Sequence, residues 1–304
     1  MRQIWDAVVV GGGPAGLSAA LILGRCCRHV LLVDEGHQRN RFSEHMHGFL
    51  ACDGISPQQF LSTAREQLRP YDSVLLIEDV VENAACLGHE FALALSNHEP
   101  VRTRTLLLAT GVVDHLPPIE GIEPLYGKSV HHCPYCDGWE WRQHRIAAYG
   151  SGDDKGGGLA LMLLQWSNDV LLFTDGPAEL SLAMQARLRE RNVAIHEAKI
   201  VRLNGDGPRL ESVVLSDGKS VECNALFFNT GQHQRSPLAS SLGCKFTDRG
   251  GVDAGDLDVT TDVEGLFVAG DVTRDVQLVA IAAAEGVKAA FAINKLLLSR
   301  EGLL

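Results

Sequence analysis

The feature that most constrains this chain is a glycine turn between an apolar strand and a helix. Residues 4–10 have the composition of a buried strand, Gly11-x-Gly13-x-x-Gly16 follows directly, and residues 14–24 have the pattern of a helix. A further apolar segment at 30–34 ends in a carboxylate, Asp34. This order predicts a parallel βαβ unit whose turn can hold a dinucleotide pyrophosphate.

A second unit of the same kind is predicted at 146–175. It has an apolar strand at 146–150, a glycine-rich turn, a helix to about Trp166 and a second strand ending at Asp175. Two nucleotide-type units in one chain predict an α/β protein with two dinucleotide-binding, Rossmann-like domains.

Two segments have the composition of linkers between these domains. One is the proline-containing stretch 114–118, and the other is 231–237. The simplest organisation is a first domain made of residues 1–115 and 237–304, with a second domain, 116–236, inserted into it.

Composition excludes several classes of function. The net charge of −11 disfavours nucleic acids and anionic membranes as partners, because both require a basic surface. No apolar run approaches the roughly 20 residues that span a bilayer, and no signal-peptide pattern is present, so we expect a cytoplasmic protein. The eight cysteines are then expected to be thiols or redox groups rather than a disulfide scaffold.

One pair of cysteines, Cys133 and Cys136, has CxxC spacing. A zinc site formed with His131 and His132 is an alternative, although no second ligand pair is present. Inert buried cysteines and a structural disulfide are two further alternatives. We favour a redox pair, because two cysteines at a helix start can close a short disulfide and the helix dipole favours a thiolate. Asp137 is the candidate proton donor or acceptor.

The cysteine segment and several others resemble the low-molecular-weight thioredoxin reductase family. The sequence Cys-x-x-Cys-Asp-Gly lies in the second domain, as it does in that family, and segments 106–111 and 265–271 resemble the Ala-Thr-Gly and Gly-Asp segments of flavoproteins with two dinucleotide domains. The resemblance implies that Cys133 and Cys136 exchange electrons with FAD and a partner disulfide, and that Asp137 is the acid/base. It also implies a homodimer and a thioredoxin-like or small dithiol partner.

FAD is the cofactor that the first unit is expected to bind. The glycine turn would approach the pyrophosphate, a carboxylate after the second strand would accept the ribose hydroxyls, and the resemblance places an Asp on the ribityl chain and a helix N-terminus at the flavin. The residues expected at this site are Gly11, Gly13, Pro14, Ala15, Gly16, Asp34, Glu35, Ala109, Thr110, Gly111, Gly270, Asp271, Gln277, Leu278 and Val279.

The second unit departs from the family pattern. Its turn is Gly150-Ser-Gly152-Asp153-Asp-Lys155, with Lys155 at the expected third small position, and Asp175 replaces the basic cluster that binds a 2′-phosphate. A carboxylate there would repel NADPH but could hold a free ribose diol. NADPH is therefore disfavoured, and NADH, a second FAD or an empty site remain open.

Several functions are compatible with this departure. The segment most resembles the diflavin-linked branch of the superfamily that lacks the NADPH motif. The alternatives are an NAD(P)H-dependent thioredoxin reductase, an oxygen-using oxidase of small dithiols and a non-catalytic FAD-binding redox sensor.

Two other groups of residues have no place in the family pattern. Core packing is the expectation for Cys26, Cys27, Cys52, Cys86, Cys223 and Cys244, and surface or hydrogen-bonded positions are the expectation for His37, His45 and His47.

Overall fold

The computed structural model describes residues 4–255 and 259–304. In chain order, the strands are β1 (Ile4–Val10), β2 (Val30–Asp34), β3 (Val74–Glu78), β4 (Val81–Leu87), β5 (Glu90–Leu95), β6 (Val101–Leu108), β7 (Val112–Asp114), β8 (Val130–His131), β9 (Ile146–Tyr149), β10 (Val170–Phe173), β11 (Ala194–His196), β12 (Ile200–Asp206), β13 (Arg209–Leu215), β14 (Ser220–Glu222), β15 (Ala225–Phe228), β16 (Gln232–Gln234) and β17 (Leu266–Val268).

The α-helices are α1 (Pro14–Arg25), α2 (Pro57–Leu68), α3 (Pro134–Asp137), α4 (Leu159–Leu163), α5 (Leu182–Glu190), α6 (Leu238–Ser241) and α7 (Val279–Arg300). Short 3₁₀ turns cover Arg39–Phe42, Glu123–Leu125 and Asp271–Thr273, and a π-helical turn covers Gly152–Gly158. Sequence signals explain several helix starts. Ser56 accepts a hydrogen bond from the Gln59 N–H at 3.1 Å at the start of α2, and Pro14 begins α1.

The chain divides into two compact units. The first comprises the chain up to Arg41, Phe49–Val113 and the chain from His233, and the second comprises Phe42–Gly48 and Asp114–Gln232. The sequence predicts the second domain as 116–236 alone, and the structure adds the segment Phe42–Gly48 to it. The reason is local packing, since the Phe42 ring lies 5.3 Å from the Tyr126 ring.

The first unit is built on a seven-stranded sheet in the order β3-β2-β1-β6-β5-β4, with β17 also paired to β6. Strands β3, β2, β1, β6 and β17 run parallel, and β4 and β5 are antiparallel. The near-continuous apolar sequence of β1 and β2 fits strands that are covered on both faces, and Val8, Val9 and Leu32 are completely buried.

The second unit has a five-stranded parallel sheet in the order β11-β10-β9-β15-β8 and a three-stranded antiparallel sheet, β12-β13-β14. Its core contains fully buried aromatic side chains from adjacent strands, including Phe173, Phe227 and Phe228. The two-domain Rossmann-like fold predicted from the sequence is confirmed.

Candidate active site: a flavin edge and a cysteine pair

Four parallel strands of the first unit end in register at one edge of the sheet. Val10 pairs with both Val33 and Leu108, and Leu108 pairs with Val268. The segments that follow these strands therefore lie side by side. Ligands of doubly wound sheets bind outside the carboxyl ends of the strands, so this edge is the candidate cofactor site of the first unit.

The glycine turn brings two backbone segments into close contact. A Cβ atom at Gly16 would collide with the carbonyl oxygen of Gly11, and one at Gly12 would lie 2.5 Å from Cγ of Asp34. Glycine is required at these positions because of this packing. Pro14 follows as the first residue of α1, so the helix N-terminus opens toward the same edge.

Asp34 is buried at this edge and has three donors. The Gly12 N–H donates to Oδ1 at 3.0 Å, and Gln38 Nε2 and Arg65 Nη2 donate to Oδ2 at 3.0 and 2.7 Å. The carboxylate is thereby fixed next to the glycine turn. Gln38 and Arg65 were not identified from the sequence, because neither belongs to the nucleotide motif.

Asp271 is held by a second basic side chain. Arg39 Nη1 donates to Asp271 Oδ2 at 2.8 Å, and both side chains are largely buried. Gln277 Nε2 lies 3.4 Å from the Asp271 carbonyl oxygen, and α7 begins two residues later at Val279. The segment expected to meet the flavin is therefore organised around Asp271.

Glu285 is a buried carboxyl group beneath the Gly270–Asp271 turn. Its Oε2 accepts a hydrogen bond from the Gly270 N–H at 2.6 Å. Burial raises the pKa of Glu285 to about 7, against the lowering effects of this hydrogen bond and of Lys288. No sequence motif identifies Glu285 as a residue of this site.

Three further predicted residues, Glu35, Ala109 and Gly111, follow the ends of β2 and β6 at the same edge. The Ala109 N–H donates to the Val10 carbonyl oxygen at 2.8 Å, and the Gly111 carbonyl oxygen accepts from the Arg235 N–H at 3.2 Å. Arg235 Nη1 also donates to Glu35 Oε1 at 3.1 Å. The close-packed turn, the helix N-terminus and the two fixed carboxylates fit the pyrophosphate, ribose and ribityl groups of FAD.

In the second unit, a disulfide joins Cys133 and Cys136. Cys133 is the residue that precedes α3, and its Sγ accepts the Cys136 N–H at 3.2 Å. Because α3 is a single turn, the dipole that it presents to the sulfurs is weaker than that of a longer helix. The thiolate is therefore favoured less than the sequence predicts.

Asp137 follows the disulfide directly and contacts a buried histidine. Its backbone N–H donates to the Cys133 carbonyl oxygen at 3.2 Å, and its Oδ1 lies 3.4 Å from Nδ1 of His131. His131 Nε2 in turn accepts the indole N–H of Trp141 at 2.9 Å. Asp137 is therefore adjacent to the disulfide along the chain, and its carboxyl group lies next to the His131 ring.

The other cysteines differ in exposure. Cys223 and Cys244 are buried, and burial raises the pKa of Cys223 to about 12 and that of Cys244 to about 11. The expectation of core packing is wrong for Cys26, Cys27 and Cys86, which are exposed.

The glycine turn of the second unit contains one additional residue. A Cβ atom at Gly156 would collide with the carbonyl oxygen of Gly150, the same relationship that Gly16 has to Gly11. Lys155 is exposed within the π-helical turn Gly152–Gly158. The expectation that Lys155 takes the third small position is therefore wrong, since the wider turn puts Gly156 there.

The polar groups of this second turn already have partners within the unit. The Gly152 N–H donates to the Ala178 carbonyl oxygen at 2.8 Å, and Asp153 Oδ1 accepts the Ser181 N–H at 2.8 Å. These contacts could not be predicted from the sequence, because they join residues distant along the chain.

Asp175 is engaged in the same way. Its Oδ1 accepts the Ile200 N–H at 2.7 Å, and its Oδ2 accepts the hydroxyl of Tyr149 at 3.3 Å. Burial, the charge of Asp175 and this hydrogen bond raise the pKa of Tyr149 to about 12. Both oxygens of the carboxylate that was expected at a ribose therefore have protein partners.

In residues 4–255 and 259–304, no group of three or more His, Cys, Asp or Glu side chains is arranged to hold a metal ion. Each helix in the same ranges is too short or too polar to cross a bilayer. Of the three loop histidines, His47 has a described carboxylate contact, Glu140 Oε1 at 3.5 Å.

Comparison with known proteins identifies the family. The sequence profile of the Pyridine nucleotide-disulphide oxidoreductase family matches residues 5–286. Thioredoxin reductase tcpT of Claviceps purpurea is 30% identical, with 88% of this chain and 87% of the relative covered.

Two solved structures are similar to this one over nearly its whole length. The crystal structure of HlmI has a TM-score of 0.93 and 35% identity, with 99% of this chain and 95% of that chain covered. An oxidoreductase from Agrobacterium tumefaciens has a TM-score of 0.90 and 33% identity, with 98% and 99% covered. The chain therefore belongs to the pyridine nucleotide-disulphide oxidoreductase family, as a flavoprotein enzyme of the thioredoxin reductase-like, FAD-dependent disulfide oxidoreductase type.

Proposed function

We propose that this enzyme exchanges electrons between FAD, the Cys133–Cys136 disulfide and a partner dithiol or disulfide, and that NADPH is not its electron donor. The observation that carries the proposal is the contrast between the two nucleotide units. The first presents a close-packed glycine turn with Asp34 and Asp271 fixed beside it, whereas the second uses Asp175 and its turn for internal hydrogen bonds.

The residues that would hold FAD are those of the first edge. The glycine turn and the start of α1 would approach the pyrophosphate, Asp34 would accept the ribose hydroxyls, and Asp271 would accept a ribityl hydroxyl. Bound FAD supplies two-electron exchange with the cysteine pair.

The cysteine pair performs thiol–disulfide exchange with the partner. A partner thiolate attacks one sulfur of the disulfide, the S–S bond breaks, and the sulfur that leaves takes a proton from the Asp137 carboxyl group. The second partner thiol then attacks the partner sulfur of the mixed disulfide, the bond to the enzyme sulfur breaks, and that sulfur takes the proton of the attacking thiol. This releases the oxidised partner and leaves Cys133 and Cys136 reduced. In the opposite direction the same bonds form and break in reverse, and Asp137 accepts the proton.

The partner is a thioredoxin-like protein or a small dithiol, in keeping with the thioredoxin reductases among the relatives. One FAD per chain is expected, because the contacts of Asp175 and Gly152 disfavour a second dinucleotide. The family resemblance further implies a homodimer.

Four measurements test the proposal. The purified protein is expected to carry one FAD per chain and to show flavin bleaching with dithiothreitol under anaerobic conditions. Reoxidation by air or by an added disulfide then gives the physiological direction. Neither NADPH nor NADH is expected to bleach the flavin at micromolar concentration, and rapid bleaching by NADPH would return the protein to the NADPH-dependent thioredoxin reductases.

The role of the cysteines is tested by Cys133→Ser and Cys136→Ser. Each is expected to abolish dithiol turnover while FAD stays bound, because one sulfur cannot form the disulfide. The matched control is Cys86→Ser, at an exposed cysteine outside the pair. Turnover that survives in both variants of the pair would show that these cysteines are structural.

A further inference from the structure

His131 is a buried histidine two positions before the reactive pair. It ends β8 with 4% of its surface exposed, and its ring centroid lies 5.3 Å from that of Phe227. A polar ring in such apolar surroundings requires partners for its nitrogens.

Trp141 fixes the proton of the His131 ring. The indole N–H donates to Nε2 at 2.9 Å, and an indole nitrogen can only donate. Nε2 is therefore the acceptor, and in the neutral ring the hydrogen lies on Nδ1. Trp141 therefore sets the tautomer of the neutral His131 ring.

The Nδ1 side of the ring faces the carboxyl group next to the cysteines. Nδ1 lies 3.4 Å from Asp137 Oδ1, and the Asp137 side chain is one-fifth exposed. Trp141 therefore contacts His131, His131 contacts Asp137, and Asp137 directly follows Cys136 in the sequence.

We infer that His131, oriented by Trp141, is a positioning residue that holds the Asp137 carboxyl group for proton exchange with the Cys133–Cys136 pair. This inference rests on the proposed function. When the partner thiolate breaks the S–S bond, the departing sulfur takes the Asp137 proton, and the Nδ1–H of His131 stabilises the carboxylate that remains. The histidine keeps its own proton throughout, so atoms and charge balance without a further reactant.

The first experiment compares His131→Leu with His131→Asn in the FAD-loaded protein. The amide of asparagine can place an N–H close to the position of Nδ1–H, whereas leucine removes the donor. The rate of disulfide reduction by dithiothreitol, followed by stopped flow, is expected to fall about 10- to 100-fold in His131→Leu, which is part of the ~10²–10⁴-fold that general acid–base catalysis contributes. His131→Asn is expected to recover to within about threefold of the wild type.

The second experiment uses a milder change that preserves the core. Trp141→Phe removes the indole N–H, and its ¹⁵N spectrum is expected to show the His131 ring as a mixture of tautomers, with a slower reduction rate. His131 is assigned by its absence in the His131→Asn spectrum. The matched control is Trp139→Phe, which also removes an indole N–H, from a side chain 63% exposed with Arg142 stacked at 4.1 Å. It is expected to change neither the spectrum nor the rate.

Each outcome decides the inference. Equal rates in His131→Leu and His131→Asn, or an unchanged ring spectrum and rate in Trp141→Phe, would show that the buried trio only supports the fold. Cys133→Ser distinguishes a failure of the proposed function from a failure of the positioning role of His131. If it still turns over, the proposed function fails, whereas an inactive Cys133→Ser together with a fully active His131→Leu removes only the positioning role.

Discussion

Asp175 Oδ1 accepts the backbone N–H of Ile200 at 2.7 Å, which ties the end of β10 to the start of β12. A carboxylate at the end of such a strand usually serves a bound ribose, and here it serves the protein. We therefore expect Asp175 to contribute to stability rather than to nucleotide binding.

Asp175→Ala is expected to lower the free energy of unfolding by about 1–3 kcal/mol, because it leaves the Ile200 N–H without its charged acceptor. The urea midpoint of unfolding measures this loss. Asp169→Ala is the control, since Asp169 and its partner Arg145 are about half exposed and such pairs contribute about 0–1 kcal/mol. Equal midpoints for the two variants, or a changed rate of flavin reduction by dithiol in Asp175→Ala, would contradict this role.

The wider turn of the second unit gives a paired prediction. Gly156→Ala is expected to destabilise the protein by about 1–3 kcal/mol, because its Cβ atom would meet the Gly150 carbonyl oxygen. Lys155→Ala is expected to change stability by less than about 0.5 kcal/mol, as for other exposed positions. Thermal melting of both variants checks the order, and a larger loss in Lys155→Ala would mean that the turn has the ordinary spacing.

Arg39 is expected to contribute to FAD affinity through Asp271. Arg39→Met leaves a mostly buried carboxylate without its cation and is expected to raise the Kd for FAD at least about tenfold, or ~1.4 kcal/mol. Titration of the apoprotein with FAD, followed by quenching of flavin fluorescence, gives this value. Arg25→Met is the control, because Arg25 is exposed and donates to a neutral hydroxyl, that of Tyr71. Equal affinities in the two variants would argue against the Arg39–Asp271 pair.

Glu285 is expected to make the stability of the folded protein fall as the pH rises. Burial raises its pKa from 4.5 to about 7, so the folded protein binds a proton that the unfolded chain has lost over this range. Stability from this group is full below about pH 4.5, falls as the pH rises toward 7 and is constant above it. The loss is about 1–3 kcal/mol, on the scale of 1.36 kcal/mol for each pKa unit and with allowance for partial solvation.

Glu285→Gln is therefore expected to be more stable than the wild type at pH 8 and equal to it at pH 4.5. The amide oxygen can still accept the Gly270 N–H. Urea unfolding at the two pH values measures the difference, with Glu66→Gln as an exposed control. A difference that stays the same at both pH values would exclude titration of Glu285 as the cause.

Local sequence patterns predicted the parts of the site that depend on local geometry. The glycine turn and Asp34 could be identified because strand, turn and helix follow one another directly. Arg65 and Glu285 could not, since they reach the same edge from α2 and α7 and carry no motif. The position of Gly156 in the second turn could not be predicted for a different reason. The π-helical turn adds one residue to the spacing between the packed glycines, and the composition of the turn does not show this.

The assignment of Phe42–Gly48 to the second unit could not be predicted from the sequence either, because it depends on packing between distant segments. The chain leaves the first unit at Phe42, returns at Phe49, leaves again at Asp114 and returns at His233. The second domain consequently cannot be transferred as residues 114–232 alone. A fragment or chimaera cut at 114 and 232 would expose the Tyr126 ring and the Gly127 backbone that Phe42 covers, so modular exchange between related enzymes has to carry both pieces of sequence together.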